Sequence, residues 1–141
     1  MNNFQSERSF LDEYRENIIP RLQAIDVLLK SNDYPLSVSQ TSKTLEISND
    51  EVFSIMGQLN FSSIDERGFL MIMRNGSSRI CNLFKRELDC GSPVFYKPEQ
   101  IAYIYGLDET QVFDICCGLN ISEVNADLLM EIFSKIPEAI E

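Results

Sequence analysis

Apolar and polar positions from residue 34 onward recur in two rounds: residues 34–73 overlay residues 94–133 without a gap, at an offset of sixty. Gln40/Gln100, Val52/Val112, Phe53/Phe113, Ile55/Ile115, Leu59/Leu119, Asn60/Asn120, Ser62/Ser122 and Ile72/Ile132 are identical, and most other apolar positions stay apolar. Within the first round, Val38, Ser42, Leu45 and Ile47 have the spacing of a short helix closed by a tight turn. Val52, Ile55, Met56 and Leu59 then form the buried face of a second helix, with Ser48 as its cap and Glu51 three residues on, the pattern of a capping box. The second round repeats this with Pro98 at a helix start, Ala102 at the small position, Gly106 at the turn and Asp108 as cap before Val112, Ile115, Cys116 and Leu119. A small residue at Ser42 and Ala102 lets two helices approach closely, and so short a turn forces them to cross steeply.

Each round continues into a short extended piece, residues 60–64 or 120–124, and then into a third helix. In the first round that helix starts at Asp65 and is expected to extend through Phe69, Ile72, Met73, Ile80, Leu83, Phe84 and Leu88, with residues 74–78 as its candidate break. In the second it covers about 125–136 and stops before Pro137. Ahead of the repeat, residues 6–31 carry Phe10, Leu11, Tyr14, Ile18, Leu22, Ile25, Leu28 and Leu29 on an amphipathic stripe. Pro20 interrupts it, which predicts a kink or a second helix beginning there. The expected organisation is an all-α chain: an N-terminal helical segment (1–33), a first repeat with an extended third helix (34–90) and a second repeat (91–141). Cys90-Gly91-Ser92-Pro93 terminates the helix between the copies.

The stretch Ser39-Gln40-Thr41-Ser42, Leu45, Ile47-Ser48 and Val52-Phe53-Ser54-Ile55-Met56 resembles the helix-turn-helix unit of the MerR and excisionase-like group of DNA-binding proteins. Pro98-Glu99-Gln100-Ile101-Ala102, Gly106-Leu107-Asp108 and Val112-Phe113-Asp114-Ile115 resemble it again. The resemblance implies two tandem three-helix or winged-helix-like units, of the kind that in most relatives put the second helix into the DNA major groove. The sequence departs from that group where DNA would be read. Neither second helix contains lysine or arginine, and they carry Asp50 and Glu51, or Glu109 and Asp114. Glu46 also replaces the glycine usual at the turn, which predicts a more distorted first copy.

Composition narrows the function. Twenty-two acidic against twelve basic residues give a formal charge of −10, which repels nucleic acid and membranes unless the cations gather on one face. There is no long apolar run, and the polar, acidic beginning is unlike a signal peptide, so a cytoplasmic location is expected. Cys81, Cys90, Cys116 and Cys117 are too few and too irregular for a disulfide scaffold. Histidine is absent and the six glycines are isolated, so neither a zinc site, a nucleophile with its base, nor a phosphate loop is expected. The chain reads as a non-enzyme with no cofactor.

Two groups of residues stand out as candidate contacts. Arg74, Asn75, Ser78, Arg79, Lys85 and Arg86, with Arg67, form a central basic segment suited to phosphate or an acidic partner, or else a solvated helix face. Asp50, Phe53, Ser54, Glu109, Phe113 and Asp114 are candidate protein contacts. For Phe53 and Phe113 themselves, the favoured expectation is a widened core face and the other an exposed aromatic patch. The leading expectation is a small regulatory or adaptor protein that uses tandem helix-turn-helix-like units to recognise another protein in gene control. The alternatives are a DNA-binding regulator that dimerises through residues 6–31 and uses the basic segment, and an acidic inhibitor that mimics nucleic acid.

Overall fold

The computed structural model describes residues 8–31, 33–91 and 93–137. Among them every regular element is helical, and extended pairing is confined to isolated bridges. The N-terminal run comprises α1 (Phe10–Glu13), a π-helical turn (Tyr14–Ile18) and α2 (Ile19–Leu29). Pro20, which lacks a backbone donor, neither breaks the run nor opens a new helix; it is the second residue of α2, just past the π turn that widens the spiral. Residues 6 and 7 of the expected helix lie outside the described residues.

The rest follows as α3 (Val38–Leu45), α4 (Asn49–Leu59), α5 (Glu66–Asn75), α6 (Arg79–Asp89), α7 (Pro98–Tyr105), α8 (Glu109–Gly118) and α9 (Ala126–Ser134). The sixty-residue register holds at the level of single hydrogen bonds. Ile47 N–H donates to the Ser42 carbonyl at 3.1 Å, and Leu107 to that of Ala102 at 2.9 Å. Leu36 bonds Ile64 at 2.8 Å and Tyr96 bonds Val124 at 2.9 Å, so each expected extended piece contributes a single bridge. Helices α2 and α6 also begin sixty positions apart, which carries the repeat further toward the N terminus than the sequence identities do.

Two expectations are corrected here. The third helix of the first copy ends at Asn75 and a new helix starts at Arg79. Gly76 between them has ordinary negative φ, so conformational freedom is not its role; a Cβ there would fall 2.5 Å from Cys81 Sγ. The first copy is not more distorted at its turn either. Glu46 adopts φ 60°, ψ 41°, close to the φ 68°, ψ 38° of Gly106, and its carboxylate meets Arg21 at 3.2 Å.

The chain forms two compact units. One is continuous, Ile19–Lys85; the other combines the described residues up to Ile18 with those from Arg86 onward. In the continuous unit Leu45, Val52, Phe69 and Ile72 have no exposed surface, and each such burial is worth about 1.5–3 kcal/mol. Arg21 donates to the carbonyls of Lys43 and Thr44 at the end of α3, and Ser78 Oγ to that of Leu45 at 2.6 Å. In the other unit Arg86 Nε donates to the Ile104 carbonyl at 2.8 Å, capping α7 as Arg21 caps α3. Tyr105, the counterpart of Leu45, packs edge-on against Phe10, Tyr14 and Phe133, with the Phe133 ring 4.9 Å away. Phe10 N–H bonds the Ile136 carbonyl, which fastens the N-terminal segment to the end of the second copy.

Candidate protein-recognition faces

The outward faces of α4 and α8 are set by where their buried faces point. Ser48 Oγ accepts from Glu51 N–H and Asp108 Oδ1 from Gln111 N–H, both at 3.0 Å, which fixes the start of each helix. Val52, Ile55 and Met56 are buried in α4, and Val112 and Cys116 in α8. At 100° per residue, Phe53 falls about 60° outside the arc from Ile55 to Met56, while Asp50 and Gly57 lie within about 60° of Phe53. Phe53 is accordingly 59% exposed and Phe113 56% exposed. The favoured expectation that these rings widen the core is overturned; the signal was the wheel angle, which their neighbourhood of apolar letters obscured.

Around each ring the face is acidic and low. Asp50 and Ser54 beside Phe53, and Glu109 and Asp114 beside Phe113, are all exposed, and neither helix carries a cation. In α8 the matching position is Cys117, whereas Gly57, one turn beyond Phe53, has only open space where a side chain would be. Met56, Gly57, Asn60, Phe61 and Ser62 line a shallow hollow of about 200 Å³ there. A groove of about 410 Å³ beside α8 is lined by Asp108, Thr110, Gln111, Asp114, Ile115 and Lys135, the last its one basic lining residue. Cys117 is exposed one turn past Phe113, and Cys116 is buried, which pushes its thiol upward.

The central basic residues do not form one face of equivalent cations. Arg74 and Arg79 are exposed, whereas Lys85 and Arg86 are half-buried. Arg86 is committed to the Ile104 carbonyl and Lys85 Nζ approaches Asn82 Oδ1 at 3.3 Å. Ser78 Oγ donates to Leu45 and accepts from Cys81 N–H, and Asn75 donates to the Met71 carbonyl within its own helix. Internal capping therefore occupies three residues the sequence marked as candidate contacts: Asn75, Ser78 and Arg86. The sequence does not signal this, because the carbonyls they reach outside their own helices lie 18 and 33 positions away.

Among the described residues no cluster of Cys, Asp and Glu is placed to hold a metal ion, and no helix is long and apolar enough to cross a membrane. No protein-family model, no curated protein and no solved structure matches the chain.

Proposed function

We propose that this chain is a non-enzymatic regulatory or adaptor protein that recognises another protein through the outward faces of α4 and α8. The observation that carries the reading is the pairing of Phe53 and Phe113: two large aromatic rings, in register across the duplication, each more than half exposed on an acid-bearing helix. Leaving one such ring in water is ordinary, but the same ring displayed twice in the same setting supports use, since aromatic residues dominate interface hot spots. A role in gene control follows from the resemblance to helix-turn-helix units, here with the second helix turned to protein contact.

The test is affinity capture from a lysate of the source cells with the purified protein and with the Phe53→Ala/Phe113→Ala double variant, beside a mobility-shift assay on duplex DNA at physiological salt. A partner held by the parent protein and lost by the variant supports the reading. Tight DNA binding with no captured protein overturns it in favour of a DNA regulator, for which the exposed Arg67 and Arg74 are the supporting observation. In that case binding falls steeply with added salt as phosphate contacts are lost.

A further inference from the structure

The two faces are alike enough to say what each accepts, an inference that rests on the reading just given. Each presents one exposed phenyl ring with a carboxylate beside it; on the first, Gly57 also leaves open space one turn past the ring, where a partner backbone can approach closely, whereas the second has the exposed Cys117 at that position. A helix laid across such a face meets an apolar knob with a carboxylate beside it, Asp50 on the first face and Glu109 and Asp114 on the second. Its complement is an apolar stripe bordered by lysine or arginine, because each carboxylate then gains an opposite charge while the ring is covered. A second copy of this chain is the wrong occupant: with a net charge of −10, pairing acidic faces brings like charges together.

We infer that the chain holds two separate docking sites for cationic amphipathic helices, one centred on Phe53 with Asp50 and one on Phe113 with Glu109 and Asp114, each taking one helix. The hollow lined by Met56 and Phe61 at the end of α4 receives an apolar side chain of the first occupant. Asp108 contributes less to the second site than Asp114, because its carboxylate already caps α8. Lys135, in the groove beside α8, is the one cation lining it and makes the second site the less acidic on that side.

Stoichiometry separates this from general attraction between an acidic protein and a basic peptide. The probe is a synthetic monomeric helix with leucine along one face and lysine elsewhere, titrated calorimetrically into the full chain, with a control in which glutamate replaces every lysine. The expected result is two probe helices per chain, one per chain in Phe53→Ala or Phe113→Ala alone, and none in the double variant. Asp50→Asn weakens only the site that survives in the Phe113→Ala background, by about three- to tenfold, and Glu109→Gln/Asp114→Asn only the one that survives in Phe53→Ala. Circular dichroism of each variant verifies that the fold is retained. Binding whose stoichiometry ignores both rings, equal binding of the glutamate control, or light-scattering mass that doubles through Phe53 and Phe113 overturns the inference. Should captured partners still depend on the two rings when the lysine probe does not bind, the protein-recognition reading stands and only the cationic-helix assignment falls.

Discussion

The Glu51 carboxylate accepts two hydrogen bonds from Ser77, one from its backbone N–H at 2.7 Å and one from its hydroxyl at 2.8 Å. Glu51 sits in the first turn of α4, where the spacing from Ser48 predicts that its side chain folds back onto the cap. Only half of that capping box forms: Ser48 receives the Glu51 N–H, while the Glu51 carboxylate leaves the helix to hold the junction between α5 and α6. The second copy has Gln111 and Pro137 at these positions, and proline has no N–H to give.

Glu51→Gln should therefore lower the stability of the chain, by about 1–2 kcal/mol, since hydrogen bonds to an ionised acceptor are the stronger class. Ser77→Ala keeps the backbone bond and loses only the hydroxyl, at about 0.5–1 kcal/mol. Urea unfolding of the two single variants and the double gives the coupling directly. Additive losses would mean that the pair is not joined as described.

Glu46 occupies the left-handed region at the end of α3, a conformation that glycine adopts without strain. Replacing it with glycine should raise stability by about 0.5–1 kcal/mol, a gain reduced by the loss of the half-exposed ion pair with Arg21. The mirror change, Gly106→Ala, should be destabilising by a similar amount. Thermal denaturation of both variants checks the sign.

Phe133 has no exposed surface and contacts three aromatic rings, whereas Phe53 and Phe113 are more than half exposed. Phe133→Ala should cost about 3–5 kcal/mol by leaving a cavity. Phe53→Ala and Phe113→Ala should each stay within about 0.5 kcal/mol of the parent. A large stability loss in either exposed variant would show that the ring belongs to the core after all.

Burial raises the Tyr105 phenol above its ordinary value of 10.0, and Tyr14 beside it is raised for the same reason. The fold thus favours the neutral rings. Above about pH 10 the unfolded chain gives up these protons while the folded chain keeps them. Stability that is fully present below that pH then falls as pH rises toward the folded-state value. Tyr105→Phe should flatten the alkaline decline. Chemical unfolding at pH 8 to 11 checks this.

Local chemistry made much of the fold legible. Ser48 and Asp108 cap as their positions imply, Ser42 and Ala102 are buried at the helix crossings, and the helices of the two copies start in register. What local spacing does not carry is which distant group a polar side chain reaches. Glu51 to Ser77, Ser78 to Leu45 and Arg86 to Ile104 each depend on how elements meet in space. Helix propensity marks the break at Gly76, whereas the close approach of Cys81, which leaves no room there for a Cβ, depends on the folded chain. The rings at Phe53 and Phe113 lie beside the buried stripe, and spacing alone does not say whether another element covers such a border position; here they are exposed.

The fastening of Phe10 and Tyr14 to the second copy has a consequence for synthesis. Phe10 and Tyr14 leave the ribosome well before the Tyr105 and Phe133 rings that cover them, which follow roughly a hundred residues later. At ~5–20 residues per second, that is a wait on the order of ten seconds. Residues 19–85 form one uninterrupted compact unit and emerge before those rings do. The nascent chain therefore carries a completed unit with an uncovered aromatic segment ahead of it. In that interval, the N-terminal segment is exposed to chaperones and to neighbouring nascent chains, before the finished protein hides it.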